Sequence, residues 1–124
     1  MSDKLHVVLV DDDEDTQKIF RMVMAHHQID LQIFADAESA LEQLKNAPEP
    51  DVMVIDIVLP GIDGYQMLGR SRQFAPRCRM VATTAYYSQT TASEIANWGF
   101  NGYLPKPLQP ATLVEDLQRF MANN

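Results

Sequence analysis

Short apolar runs alternate with amphipathic stretches along this chain. The runs cover residues 7–10, 31–35, 52–55, 80–83 and 102–104; the first is continuous and rich in β-branched residues, the second is interrupted by Gln32, and the last is weak. A continuous apolar run of this length is typical of a strand that is buried on both faces of a parallel sheet. The pattern therefore predicts five strands.

The stretches between the runs carry apolar residues at spacings of three and four, which is the repeat of a helix with one buried face. The first helix is predicted at about 15–27 and the second after Asp36, which can cap it. A third helix follows the Asp63-Gly64 turn, and a fourth ends at Gly99. The last helix is predicted to hold Pro110 in its first turn. Its buried face contains Leu113, Val114, Leu117, Phe120 and Met121.

Strand and helix thus alternate five times, which indicates an α/β fold. Right-handed crossovers place the helices on both faces of an open, doubly wound parallel sheet. Ligands of such sheets bind beyond the carboxyl ends of the strands. We therefore expect the functional site at that edge.

The length of 124 residues and the hydrophobic fraction of 46% suit one folded domain, which we expect to span residues 1–124. A single cysteine, Cys78, excludes an intramolecular disulfide and fits a reducing compartment. The sequence contains no signal-peptide pattern and no apolar run near 18 residues. We therefore expect a cytoplasmic protein that does not bind membranes.

The net charge of −7 is concentrated in the five consecutive acids at 11–15. An acidic chain argues against non-specific binding of nucleic acid, which needs a basic surface. A local block of acids fits either a bound cation or a solvated helix start.

Polar side chains follow four of the five predicted strands. Asp11 and Asp12 follow the first strand, Asp56 the third, Thr84 the fourth and Lys106 the fifth. Clustered carboxylates either take up protons or bind a cation, and hard oxygen ligands suit Mg²⁺ or Mn²⁺. A carboxylate can also accept a phosphoryl group, whose oxygens a lysine and a hydroxyl can hold. The sequence predicts a cation site with phosphoryl-transfer chemistry.

Five motifs, in this order, resemble those of the receiver (CheY-like) domain of bacterial two-component response regulators. They are VLVDD at 8–12, DVMVID at 51–56, LPGIDG at 59–64, TA at 84–85 and GYLPKP at 102–107. The resemblance covers nearly the whole chain. It implies a flavodoxin-like (βα)5 fold with strand order 2-1-3-4-5.

The resemblance also implies roles for single residues. Asp56 would be the phosphoacceptor, and Thr84 and Lys106 would hold phosphoryl oxygens. Tyr103 would be the aromatic switch residue that turns inward on phosphorylation. The metal ligands would be Asp12 directly, Asp11 largely through water, Asp56, and the backbone carbonyl of Val58.

The implied function is phosphorylation-dependent signalling in a two-component system, without enzymatic turnover. The donor would be a histidine kinase or a histidine phosphotransfer protein. Because no output domain is evident, the response would pass to a downstream protein target and not to nucleic acid. A phosphorelay intermediate and a receiver excised from a larger hybrid kinase or regulator remain open, as do a monomer and a weak dimer.

The chain departs from the family pattern at a few positions. Trp98 and Phe100 flank Gly99 where alanines are usual, which indicates either altered packing or a specialised face for a partner or a second copy. Val58 and Tyr86 stand at positions that influence attack of water on the phosphoryl group, and they favour slow loss of the phosphate. The Lys106-Pro107 bond is a candidate cis peptide, and Pro105 fits an edge strand.

Other functions make different demands on the sequence. A haloacid-dehalogenase-type phosphatase needs Thr or Val at the fifth position of its Asp motif, where this chain has Asp15. A flavodoxin-like flavin binder needs a phosphate cradle after the first strand, and here that loop is acidic. A pseudo-receiver scaffold would normally have lost one of the acids or the lysine.

Overall fold

The computed structural model describes residues 4–85 and 89–122, which form five strands and five helices in strict alternation. The strands are β1 (His6–Val10), β2 (Asp30–Phe34), β3 (Val52–Asp56), β4 (Arg79–Thr84) and β5 (Gly102–Pro105). The helices are α1 (Glu14–His26), α2 (Ala37–Lys45), α3 (Gly64–Phe74), α4 (Gln89–Trp98) and α5 (Leu113–Ala122).

The strands form one parallel sheet in the order β2-β1-β3-β4-β5. This confirms the doubly wound α/β fold and the strand order that the resemblance implied. β3 is the central strand and pairs with β1, in which Val10 lies opposite Ile55. The residues that directly follow these two positions, Asp11 and Asp56, therefore emerge side by side at the carboxyl edge.

Successive strand residues point to opposite faces, and each face is covered by its own helices. On one face Val8, Val10, Met53 and Ile55 pack with the buried residues of α2 and α3 and with Ile95 of α4. On the other face the intervening residues of β1 and β3 pack with α1 and α5. Because both faces are buried, the continuous apolar runs of the sequence are explained.

Aspartates fix the start of three helices. Asp13, Asp36 and Asp63 precede α1, α2 and α3, and each side chain accepts a hydrogen bond from a backbone N–H of the first turn. A carboxylate at this position satisfies a helix donor and complements the helix dipole. All three lie at the carboxyl edge of the sheet, where the loops that carry the site begin.

The start of α5 differs from the prediction. Pro110 lies in a turn that precedes the helix, closed by the Thr112 N–H donating to the Gln109 carbonyl at 3.2 Å, and α5 begins at Leu113. The predicted first turn was therefore one turn too early. The cause is that Pro110 pre-sets a φ that suits a β-turn as well as a helix start.

Gly99 has a φ of +108° directly after α4, as predicted for a residue that ends a helix. The Lys106-Pro107 bond is cis, and Pro105 lies on the edge strand β5. Among the described residues, no helix has the length and hydropathy needed to cross a bilayer.

Candidate functional site

Three carboxylates meet at the carboxyl edge of the sheet. Asp11 and Asp12 follow β1, and Asp56 is the last residue of the adjacent strand β3. One oxygen from each side chain lies within 4.8 Å of the other two. The structure thus brings together the three acids that the sequence predicts as metal ligands.

Backbone N–H groups orient the two buried carboxylates. Oδ1 of Asp11 accepts a hydrogen bond of 2.9 Å from the Asp13 N–H, and Oδ1 of Asp56 accepts one of 3.0 Å from the Val58 N–H. Asp11 is 0% and Asp56 6% exposed, whereas Asp12 is exposed. The second oxygen of each buried carboxylate consequently faces the interior of the site.

Lys106 occupies this interior. Its Nζ lies 3.0 Å from Asp11 Oδ2 and 3.2 Å from Asp56 Oδ2. The backbone places it there, because the Lys106 N–H donates to the Thr84 carbonyl at 3.0 Å. The ammonium therefore offsets part of the negative charge that the strand ends concentrate.

Burial dominates the electrostatics of Asp11. It raises the pKa of this carboxyl to about 6, although the hydrogen bond from Asp13 and the contact with Lys106 act in the opposite direction. Burial lowers the pKa of Lys106, but the contacts with Asp11 and Asp56 outweigh it and the net direction is upward. The lysine therefore stays charged. Keeping the buried Asp11 carboxylate ionised costs free energy, and a further cation beside it would reduce that cost.

This donor set fits a small divalent cation. Oδ2 of Asp11 is buried and faces Lys106 as an ion pair without a well-aligned hydrogen bond, so it keeps acceptor capacity for another ligand. Three hard oxygens, one of them on the exposed Asp12, suit Mg²⁺ or Mn²⁺, which retain several waters.

Thr84 and Tyr103 lie on the neighbouring strands β4 and β5. Thr84 ends β4 and is buried, and Tyr103 lies in β5 opposite Ala82 of β4. The Tyr103 ring is half-buried and packs against the core on the face of α2, α3 and α4. The two residues thus lie on adjacent strands, Thr84 opposite Pro105 and Tyr103 opposite Ala82.

The two departures at the end of α4 have different surroundings. Phe100 is 7% exposed and belongs to the core, with its ring 6.2 Å from that of Tyr65. Trp98 is 58% exposed and packs against Tyr65, with ring centroids 4.8 Å apart and ring planes tilted by 35°. Phe100 thus fits the packing interpretation, and of the two only Trp98 offers its ring to a surface.

The two positions expected to govern water access also differ. Val58 is 55% exposed beside Asp56. Tyr86 lies outside the described residues, so the structure adds nothing to the prediction for it.

Sequence reasoning missed one residue of the site. Asp13 Oδ2 lies 3.8 Å from Lys106 Nζ, which adds a third carboxylate to those around the ammonium. In the sequence Asp13 is only one of five consecutive acids, and nothing distinguishes it from Glu14 or Asp15. Its position depends on where α1 begins, which a run of acids does not specify to one residue.

Comparison with known proteins gives a single family. The family described as response regulator receiver domain matches residues 7–118. A 14.6 kDa uncharacterized protein of Leptolyngbya boryana is 29% identical over 94% of this chain and 90% of its own length. A putative response regulator of Chloroflexus aurantiacus, of known crystal structure, is 30% identical with a TM-score of 0.84 and covers 97% of this chain and 99% of that one.

The relatives differ in length. The transcriptional regulatory protein TrcR of Mycobacterium tuberculosis is 27% identical over 92% of this chain, but the match spans only 44% of TrcR. The chain thus matches nearly all of some relatives and about half or less of several regulators that are named for transcription.

Proposed function

This chain belongs to the response regulator receiver domain family, and from that premise we propose that Asp56 accepts a phosphoryl group from a phosphohistidine. Phosphorylation-dependent signalling is the known role of the family, whose members act as signalling domains and interact with histidine kinases and downstream effectors. The proposal concerns which residues of this chain perform that role.

One observation carries the proposal. An oxygen of Asp56 lies within 4.8 Å of oxygens of Asp11 and Asp12, and Lys106 Nζ is 3.2 Å from Asp56 Oδ2. The nucleophile, the acids for a cation and a fixed positive charge therefore stand around one small volume. Phosphoryl transfer needs little else, because it depends mainly on positioning and on neutralising the phosphoryl oxygens.

In the proposed step a carboxylate oxygen of Asp56 forms a bond to phosphorus while the phosphorus–nitrogen bond of the donor imidazole breaks. The electron pair of that bond returns to the imidazole nitrogen. Lys106 and the Thr84 hydroxyl then hold phosphoryl oxygens. The N–H of Val58 keeps the acceptor carboxylate oriented throughout, since it already binds Asp56 Oδ1.

The cofactor of this step would be Mg²⁺ or Mn²⁺, held by Asp11, Asp12, Asp56 and the backbone carbonyl of Val58. When bound, the ion supplies positive charge to the phosphoryl oxygens. Asp12 is the exposed member of the set and offers its oxygens toward solvent, where a hydrated ion arrives. Asp11 is buried, and the hydrogen bond from the Asp13 N–H fixes the orientation of its carboxylate in the site.

The output of the switch would be a changed protein-binding face. Thr84 would move toward the phosphoryl group, and Tyr103 on the adjacent strand would turn into the space that Thr84 leaves. A histidine kinase or histidine phosphotransfer protein would supply the phosphoryl group, and a downstream protein would read the changed face. The exposed ring of Trp98 lies at the end of the neighbouring helix α4 and would form part of that face.

Intact-mass measurement after incubation with acetyl phosphate tests the assignment. The wild-type protein should gain one phosphoryl group, only when Mg²⁺ is present, and Asp56→Asn should gain none. Asp30→Asn is the control, because it removes the same charge at the start of β2, the opposite edge of the sheet. An adduct that persists in Asp56→Asn, or that forms equally well with a chelator present, would reject the proposal.

A further inference from the structure

We propose that Asp13 is a positioning residue for this phosphorylation, because its carboxylate holds the ammonium of Lys106 and so slows capture of the phosphoryl group. The inference rests on the proposed function, in which Lys106 contacts a phosphoryl oxygen. It concerns a residue outside the set that the motifs indicate.

The start of α1 fixes the position of the Asp13 carboxylate. Asp13 Oδ2 accepts hydrogen bonds from the Thr16 hydroxyl at 2.7 Å and from the Thr16 N–H at 3.3 Å. The same oxygen lies 3.8 Å from Lys106 Nζ. The carboxylate is therefore a rigid neighbour of the ammonium and not a side chain that swings past it.

Three carboxylates consequently share one ammonium, at 3.0 Å for Asp11, 3.2 Å for Asp56 and 3.8 Å for Asp13. Asp11 and Asp56 belong to the reacting site and draw Lys106 toward the place where the phosphoryl group arrives. Asp13 lies at the half-exposed rim of the site, and its carboxylate competes with an arriving phosphoryl oxygen for the same ammonium. Lys106 must weaken this third contact before it can hold a phosphoryl oxygen.

Substitution by asparagine separates the charge of Asp13 from its role as a helix cap. Aspartate and asparagine are about equally good N-caps, so Asp13→Asn keeps the helix start and removes only the charge. We expect Asp13→Asn to react with acetyl phosphate about two- to five-fold faster at low ionic strength, which is the size of effect that half-exposed ion pairs show. High salt should shrink the difference, because it screens the same contact in the wild type.

Two matched variants locate the effect. Asp15→Asn removes an equal charge from the first turn of the same helix, and Asp30→Asn removes one at the opposite edge of the sheet. Neither should accelerate the reaction as Asp13→Asn does. Asp13→Ser, a second uncharged cap, should reproduce the acceleration, which keeps the test decisive if one variant folds poorly.

A double substitution tests whether Asp13 acts through the lysine. The rate of adduct formation, followed by intact mass over a long incubation, is compared between Lys106→Met alone and Lys106→Met combined with Asp13→Asn. A ratio of the two rates near one supports the inference, because Asp13 then has no ammonium to hold. A ratio equal to that in the wild-type background would mean that Asp13 repels the anionic donor directly, and the inference would fall.

Other results would contradict the inference at different points. Equal acceleration in Asp15→Asn would assign the effect to the general field of the acidic run. An unchanged rate in a well-folded Asp13→Asn would also overturn the inference, while leaving Asp56 as the acceptor untouched. If instead Asp56→Asn still forms the adduct, the proposed function fails first, so the two failures are distinguishable.

Discussion

At the scale of single residues, the site is oriented before any ligand arrives. Backbone N–H groups of Asp13 and Val58 each hold one oxygen of Asp11 and Asp56, and Lys106 faces the other. Groups fixed in this way need little reorganisation when charge develops on a transferred phosphoryl group. The groups around these fixed side chains then decide how easily water reaches a phosphoryl group on Asp56.

Val58 should prolong the life of the aspartyl phosphate. Its side chain is exposed beside Asp56 and carries no polar atom that orients an attacking water. We expect Val58→Asn, which adds an amide at this point, to shorten the phosphate lifetime several-fold, whereas Val58→Leu should leave it unchanged. The decay of the adduct by intact mass after donor removal measures both. Loss of the wild-type phosphate within seconds would contradict the prediction.

Cys78 should be inert in the folded protein. Its side chain is 2% exposed, and burial raises the pKa of the thiol to about 12. Disulfide-exchange reagents at pH 8 should therefore modify it only after unfolding. Because the folded pKa lies above the unfolded value, the contribution of the neutral thiol to stability is complete below about pH 9 and is lost as the pH rises toward 12.

Denaturant titrations of wild type and Cys78→Ala between pH 8 and about 11 check this linkage. The wild type should lose more free energy of unfolding than the variant over that range, although the variant begins lower because of the cavity it leaves. Rapid modification of the native protein at pH 8 would show that the thiol is accessible.

At the scale of elements, two glycines differ in whether the structure leaves room for a side chain. A Cβ added at the exposed Gly69 of α3 would have no atom within 4 Å, whereas one added at Gly102 of β5 would lie 2.4 Å from the Phe120 ring. Gly69→Ala should stabilise the protein by about 0.5–1 kcal/mol through helix propensity. Gly102→Ala should destabilise it by about 1–3 kcal/mol, because the buried Phe120 ring must be displaced from its place in the core. Urea unfolding of the two variants checks both signs.

The sequence predicts those features that neighbouring residues determine, and it does not predict those that depend on tertiary packing. Apolar runs identify the strands, most clearly the continuous ones of β1 and β3, whose two faces are both buried. Strand ends identify Asp11, Asp56 and Lys106. The strand order comes from the family resemblance and not from periodicity. The start of α5 was misplaced because Pro110 suits a turn and a helix equally, and the contact of Asp13 with Lys106 depends on how β5 sits against α1, which no local pattern contains.

At the scale of the whole molecule, the fold concentrates negative charge at one edge of the sheet. Adjacent strands β1 and β3 bring buried Asp11 and Asp56 together, and the ammonium of Lys106 lies among three carboxylates. Two charges about 4 Å apart repel by roughly 4 kcal/mol at an effective dielectric constant near 20. The folded chain therefore carries an electrostatic strain that the unfolded chain, with its carboxylates apart, does not.

Mg²⁺ should consequently raise the stability of the whole domain. An ion that binds only the folded state adds about 2.7 kcal/mol to the free energy of unfolding when its concentration is a hundred times Kd. We expect the melting temperature to rise with Mg²⁺ beyond the effect of NaCl at matched ionic strength. Asp12→Ala removes the exposed ligand and relieves repulsion, so it should melt no lower than the wild type without Mg²⁺ and respond weakly to the ion. A full Mg²⁺ response in Asp12→Ala would place the ion elsewhere, because the set of three carboxylates would then not be what binds it.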